Sequence, residues 1–412
     1  MKAVTFRVSV PGYLKARTLG RITDSAVFGA LSGLGMEERS PTALPGPGWV
    51  RLRVLLSGIC GSDIGNLTYS SSPSMEPFGS FPAVLGHEIL ARVEEVGAES
   101  GLLRPGMRVA VDPMLSCRVR GWPEPCPSCR AGLHGTCERA GEEGPLEVSG
   151  SPLAPGLTMG YHRDLPGGWC PEIIAHRSQL FPVEELDDRT AVLVEPLSIG
   201  MHAAIRTPLP DSGPVLVIGS GAIALGTIWA LRALGWDGEL VAQTKRAHEG
   251  RIARVLGADE VVAPGDEARQ ALIDTGARAY MPIIGPEVYA GGGFPLIFDC
   301  VGNEGSLGQA LRHASPRGRL VVLGCAGEIR KLDLTMLWAR ELRVSGFVGY
   351  GREEWRGEAL HTFEVTRRLL EETRAPVREI VTHVFPLGEY RDALSAAARH
   401  GSSEAVKVAL EP

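Results

Sequence analysis

The stretch Val215-Leu216-Val217-Ile218-Gly219-Ser220-Gly221-Ala222-Ile223-Ala224 decides the fold. Four consecutive apolar residues form a strand buried on both faces, a glycine turn follows, and Ala222 opens a helix-period segment. Gly219 permits the tight turn, Gly221 lets the backbone approach a pyrophosphate, and Ala224 is the small residue where helix meets strand. Gly219, Ser220, Gly221, Ala222 and Ile223 are therefore candidate phosphate-binding residues at a helix N-terminus. A glycine pattern alone is weak, since it also serves as a structural turn. Here strand, turn, helix and second strand occur in order within about thirty residues, which points to a dinucleotide.

Moving outward, the second strand, Glu239–Gln243, is the place where an NAD enzyme would end in Asp or Glu. This chain has Thr244, Lys245 and Arg246 there. A small hydroxyl beside two cations suits a ribose 2′-phosphate, so NADP is expected over NAD, the plain alternative being solvated loop charges. Further strands are read at Glu260–Val262, Leu296–Cys300, Arg319–Leu323 and Leu342–Phe347, giving a doubly wound parallel α/β sheet of the Rossmann type. Ala279 to Phe294, with Gly291-Gly292-Gly293, reads as a loop insertion. Beyond it the pattern predicts a helix at Glu354–Glu372, a strand near Glu379–Phe385, a helix at Glu389–His400 and a last strand at Ala405–Leu410, a tail expected to rejoin the first domain.

The first half differs in texture. Trp49 to Gly61 and Gly86 to Val111 read as short strands punctuated by Gly and Pro. Met1 to Tyr13 alternates like a strand, and Gly144 to Gly156 reads as a surface loop. A length of 412 residues favours two domains, and 44% hydrophobic with 22% charged residues is a globular composition. A net charge of -6 with scattered Lys and Arg leaves no footprint for nucleic acid. The N-terminus lacks the apolar core of an export signal, and glycine stops the apolar runs before they could span a bilayer. A soluble, cytoplasmic protein without a membrane partner is expected. Of 8 cysteines, four lie between Cys117 and Cys137, which in a reducing compartment suggests metal binding more than disulfides.

Cys60-Gly61-Ser62-Asp63 and Gly86-His87-Glu88 each end a strand-like run and offer a thiolate, an imidazole and a carboxylate, all donors that zinc accepts. Singly they read as a buried thiol, a core histidine and a surface charge. Together they point to a cation. Val194-Glu195-Pro196-Leu197 places Glu195 at the expected domain boundary, where substrate clefts tend to form.

The ordered set Cys60-Gly-Ser-Asp, Gly86-His-Glu, Glu195-Pro and the Gly219 turn resembles the zinc-containing medium-chain dehydrogenases over nearly the whole chain. It lies nearest their polyol and threonine dehydrogenase branches, through Glu-Pro-Leu at Glu195. Phe298-Asp299-Cys300-Val301-Gly302, Arg340 to Gly346 and Val406-Lys407-Val408 also resemble family segments. The resemblance implies a β-rich GroES-like catalytic domain, residues 1–195 and 346–412, and a Rossmann domain, residues 196–345. It implies catalytic zinc on Cys60, His87 and Glu88, with Glu195 binding directly or through water. Ser62 would hydrogen-bond the substrate hydroxyl, Asp63 would orient a ligand, and Cys300, Val301 and Gly302 would lie at the dinucleotide. The implied reaction exchanges a hydride between an alcohol or carbonyl substrate and NADP or NAD, in a homo-oligomer, dimer or tetramer, contacting through the edge near Leu342–Phe347.

Three protein ligands leave a position for a substrate oxygen, whose hydroxyl pKa zinc lowers by several units. The chain departs from the family at Gly65, where many members carry a proton-relaying histidine; water, Glu195 or His202 could replace it, although His202 alone reads as structural. It departs again at Pro123, where a first lobe cysteine would stand. A structural zinc on Cys117, Cys126, Cys129 and Cys137 then needs Cys117 to reach across Arg118 to Pro125. Cys170, Cys300 and Cys325 read as packing thiols. Two alternatives stay open here, a zinc-free quinone or enoyl reductase of the same fold and a non-catalytic NADPH-binding scaffold or sensor. Arg17 to Pro47 departs from the compact family N-terminus.

Overall fold

The computed structural model describes residues 1–19, 26–29, 32–325, 327–399 and 403–412. They divide into two compact units, Met1–Glu195 with Gly349–Glu372 and Val381–Pro412, and Pro196–Val348 with Thr373–Ile380.

In the second unit the strand Val215–Ile218 is buried at all four positions and lies parallel between Leu240–Gln243 and Phe294–Asp299. The sheet runs Glu260–Val262, Leu240–Gln243, Val215–Ile218, Phe294–Asp299, Ala314–Val322, Arg343–Gly346. The chain starts at the centre and winds outward both ways, the doubly wound order expected from the apolar runs. Leu216, Ile218, Val241, Phe294, Ile297 and Leu320 fill its core. The edge strand Arg343–Gly346 is exposed at every position.

The first unit is built on a seven-stranded sheet in which Trp49–Gly58 pairs with Glu88–Val96, Glu172–His176 and Lys407–Glu411. Its register sets Gly58 opposite both Glu88 and Ala409. Three stretches far apart in sequence thus end at one place. A three-stranded sheet of Leu34–Glu38, Lys2–Phe6 and Ala83–Val84 completes the unit, and Trp49, Leu52, Ile89, Val109, Trp169 and Leu410 are among its buried core.

Several expectations need correction. The supposed loop Ala279 to Phe294 carries a strand of the hairpin Arg278–Tyr280 with Val288–Ala290. Gly144–Val148 and Ser151–Leu153 also pair, about Ser149 and Gly150, both at positive φ, as a tight hairpin turn needs. The helix expected from Glu354 begins only at Thr362, because Arg352–Trp355 and Glu358–His361 form a hairpin about Arg356 and Gly357, at φ 51 and 81. Helix-forming glutamates there are overruled by the turn and by burial of Glu353, whose carboxylate accepts the Thr362 hydroxyl at 2.8 Å. Strand structure at the N-terminus stops at Phe6, and Val10–Leu19 is helical. Within Arg17 to Pro47, the strand Leu34–Glu38 pairs with Lys2–Phe6, while 20–25 and 30–31 lie outside the described residues, as does His400 at the end of the helix Tyr390–Ala398. Cys325 is exposed rather than packed. Among the described residues no helix is long and apolar enough to cross a membrane.

Candidate functional site

Cys60 follows the strand Trp49–Gly58 and is the N-cap of the short helix Gly61–Leu67, while Glu88 opens the strand Glu88–Val96. The strand register brings one ligand atom each of Cys60, His87 and Glu88 within 4.8 Å of one another. Glycine at 58 is required, because a Cβ there would lie 1.9 Å from Glu88 Oε2. A thiol, an imidazole and a carboxylate suit zinc, and three donors leave a coordination position open.

The surrounding groups fix these donors. Asp63 is fully buried; its Oδ2 accepts the Cys60 N–H at 2.8 Å and its Oδ1 accepts the Tyr161 hydroxyl at 2.8 Å. His87 Nδ1 faces Asp63 at 3.5 Å, which leaves Nε2 for a cation. Ser62 Oγ lies 2.8 Å from the Tyr161 hydroxyl oxygen. A carboxylate only accepts, so Tyr161 gives its one hydrogen to Asp63, and Ser62 must donate to Tyr161. Ser62 is left with lone pairs and no hydrogen to offer.

Lys407, buried in the last strand, donates from Nζ to Glu88 Oε1 at 2.6 Å, to Oε2 at 2.8 Å and to the Ile59 carbonyl at 3.1 Å. Burial lowers its pKa, but Glu88 and Cys60 outweigh burial and raise it. Glu195 stands outside the three-donor group. Its Oε1 accepts the Tyr350 hydroxyl at 3.2 Å, and its Oε2 is buried without a hydrogen-bond partner. Burial, with Glu88 adding repulsion, pushes the Glu195 carboxyl up to about 8 although His87 and Lys407 oppose it. Burial disfavours charge on His87, yet Asp63 and Cys60 overcome it and raise the imidazole's pKa. Burial and repulsion thus push Glu195 toward its protonated form and Asp63 holds a proton on His87, and a dication in their midst would take the place of those protons.

Gly65, where a relaying histidine is missing, and His202, one of the groups considered in its place, are placed differently. At Gly65 a Cβ would lie 2.7 Å from Ser71 Oγ, a contact that rotation of the Ser71 side chain would relieve, and the Gly65 carbonyl accepts the Ser70 and Ser71 N–H groups at 2.8 and 3.2 Å. His202 belongs to the other unit, buried, with its ring edge-on to Phe347 at 5.5 Å.

Cys117, Cys126, Cys129 and Cys137 form a second group with all four sulfurs within 4.8 Å. The turn after Cys117, closed by Trp122 N–H to the Cys117 carbonyl at 2.9 Å, carries it to the others. Backbone amides of Cys126, Cys129 and Cys117 donate at 3.4 Å to the sulfurs of Cys117, Cys126 and Cys129, and such bonds favour thiolates. A hydrogen bond from Cys129 lowers the Cys137 thiol to about 5. Cys117, Cys126, Cys129 and Cys137 form no disulfide, and a closed set of four sulfurs suits a structural zinc.

In the second unit Gly219, at φ 127, ends the strand, and Gly221 is the N-cap of the helix Ala222–Ala233. A Cβ on Gly219 would press on Cys300 and Val301 at 3.3 Å, so the turn of residues 300–302 packs directly against the glycine turn. Asp299 accepts the Val301 and Gly302 amides at 2.9 and 3.1 Å and the Ser306 hydroxyl at 2.9 Å, which shapes that turn. Thr244 is buried, Lys245 is exposed, and Arg246 donates to Glu249 at 2.8 Å.

Sequence reading gave no role to Tyr161, Tyr350 or Lys407. The one signal available was a lysine inside the apolar strand Ala405–Leu410, which a buried partner explains.

Comparison with known proteins agrees with this geometry. Residues 46–185 match the model of the alcohol dehydrogenase GroES-like domain and residues 222–364 that of the zinc-binding dehydrogenases. L-idonate 5-dehydrogenase of Vitis vinifera is 28% identical, over 92% of both chains. Sorbitol dehydrogenase of Homo sapiens is 29% identical, over 85% of this chain and 86% of its own. A zinc-binding dehydrogenase of Sinorhizobium meliloti solved with NADP shares the fold at a TM-score of 0.67 and 24% identity, covering 100% of this chain and 99% of that one. The chain belongs to the zinc-dependent medium-chain alcohol dehydrogenase family. It is accordingly an oxidoreductase of the alcohol type that uses zinc and a nicotinamide dinucleotide, which removes the zinc-free and non-catalytic alternatives.

Proposed function

We propose that Cys60, His87 and Glu88 hold the catalytic zinc, with Glu195 joining directly or through water, and that Cys117, Cys126, Cys129 and Cys137 hold a structural zinc. The observation that carries this reading is the convergence of the three unlike donors within 4.8 Å. When bound, the metal supplies Lewis acidity toward the substrate oxygen and the nicotinamide accepts or returns the hydride. The chain's own residues do the rest. Lys407 holds Glu88 through both oxygens, and Asp63 fixes the Cys60 amide and the Tyr161 hydroxyl. Ser62 Oγ accepts the hydroxyl hydrogen of the alcohol, because its own hydrogen is committed to Tyr161.

The substrate class we infer is a polyol, sugar or amino alcohol, supported by the idonate and sorbitol dehydrogenases among its relatives. NADP is the favoured dinucleotide. Thr244 takes the place of the ribose-binding carboxylate, Lys245 is exposed beside it, and the Sinorhizobium protein carries NADP. The domain carrying the zinc sites is residues 1–195 with the C-terminal portion, and residues 196–345 form the dinucleotide domain. The exposed edge strand Arg343–Gly346 supports a homo-oligomer, and the thiols of Cys117, Cys126, Cys129 and Cys137, which form no disulfide, support a cytoplasmic setting.

The test is a panel of sorbitol, galactitol, butane-2,3-diol, threonine and simple alcohols, run with NADP and with NAD and followed by nicotinamide absorbance. Turnover of at least one polyol with kcat/KM about tenfold or more in favour of NADP is expected. Equal use of both dinucleotides would defeat the cofactor assignment, and activity that survives loss of the zinc would defeat the site.

A further inference from the structure

A third group of metal-type donors stands apart from both zinc clusters: Asp112, at the end of the strand Arg108–Val111, His134, within the cysteine lobe, and His361, at the end of the strand Glu358–His361. One ligand atom of each lies within 4.8 Å of the others. Asp112 Oδ2 is 3.3 Å from His361 Nε2 and 3.9 Å from His134 Nδ1. Those separations are close to the ligand-to-ligand spacing around a small cation bound at about 2.1 Å. Asp112 Oδ1 is taken by the Met114 amide at 2.8 Å, which leaves Oδ2 to face the imidazoles.

The group is not satisfied as it stands. His361 Nδ1 accepts the Phe363 amide at 3.2 Å, so a neutral ring carries its hydrogen on Nε2. That nitrogen is buried and, despite its nearness to Asp112, has no aligned hydrogen-bond partner. Moving the hydrogen to Nδ1 would turn the Nε2 lone pair toward the carboxylate instead. With its hydrogen on Nε2 the ring meets Asp112 at 3.3 Å without an aligned hydrogen bond, whereas a cation would accept both the lone pair and the carboxylate, at the expense of the long Phe363 contact. Phe181 stacks on the His361 ring at 4.6 Å, with Phe363 and Tyr350 edge-on at 5.3 and 5.8 Å, so the imidazole is held in place. Side-chain exposure of 26% at His134 and 15% at His361 leaves a route for the ion.

We propose that Asp112, His134 and His361 form a third metal site, a two-histidine, one-carboxylate centre for a divalent cation of the zinc type. It contains no thiolate, which separates it chemically from the other two clusters. It would tie the cysteine lobe, the large sheet and the hairpin before Thr362 to one ion, and Tyr350 touches both the His361 ring and Glu195.

The test uses the full-length protein, stripped with a chelator under reducing conditions, reloaded with zinc and counted by elemental analysis. Three zinc ions per chain are expected for the wild type and two for His361→Ala and for Asp112→Asn. Cobalt gives a second reading: two equivalents bring thiolate charge-transfer absorption, and the third adds only weak ligand-field bands. His134→Ala, at a partly exposed position, serves if the buried variants fail to fold. Saturation of the wild type at two ions, an unchanged count in His134→Ala, or a third ion held only at millimolar concentrations would each overturn the site and leave a hydrogen-bonded clasp. This outcome is independent of whether the protein oxidises polyols.

Discussion

The group Cys60, His87, Glu88 and the lobe Cys117 to Cys137 lie in the same unit but are assembled differently. The first draws unlike donors from separate strand ends and surrounds them with Asp63, Tyr161, Lys407 and Glu195. The second takes four thiols from one continuous loop and quiets them with backbone amides. A mixed, charge-rich shell keeps its members poised and leaves room for a substrate oxygen; a uniform sulfur shell closes on the ion and stiffens the chain. On the proposed reading, reactivity and rigidity would be separated within one unit by the choice of donors.

The sharpest way to break that contrast is His87→Ala. Turnover is expected to fall on the order of a thousandfold, about 4 kcal/mol of barrier, with loss of one zinc and retention of the sulfur-bound ion; the check is kcat/KM beside elemental analysis. If both ions leave together, the two clusters are not independent. Cys129→Ser should do the opposite, releasing the other ion and lowering the melting temperature by roughly 10 °C while kcat stays within a few-fold. Calorimetry and steady-state rates on one sample decide it, and a collapse of kcat at unchanged stability would assign the lobe a part in chemistry.

A smaller effect measures the background that acid imposes on both clusters. His162 in one unit and His313 in the other are lowered to about 4, chiefly by burial. Their unfolded value is near 6.5, so the unfolded chain takes up protons first as pH falls. Their stabilising contribution is complete above about pH 6.5 and is lost as pH falls through about 4, at roughly 1 kcal/mol per group per pH unit. His313→Leu should flatten the decline of unfolding free energy between pH 6.5 and 4.5 in denaturant titrations. An unchanged slope would mean that metal loss alone sets acid stability.

The dinucleotide unit was readable because a parallel sheet covered on both faces needs continuous apolar runs, and Val215–Ile218, Leu296–Phe298 and Leu320–Leu323 supply them. The hairpins were not. Strands as short as Arg352–Trp355 carry charge on both faces, and their turns rest on positive φ at Arg356 and Ser149, residues that do not advertise it. In the site, Cys60, His87 and Glu88 stand in motifs that show locally. Tyr161, Tyr350 and Lys407 act through contacts that exist only once distant strands pair, and no spacing along the chain encodes them.

Lys407 and Glu88 are 319 positions apart, and that separation orders events during synthesis. The nucleotide-binding unit is translated in between and can fold before the last strand leaves the ribosome. Until Lys407 arrives, Glu88 lacks the ammonium that holds both its oxygens, so the final shape of this carboxylate belongs to a late moment in the life of the newly made polypeptide.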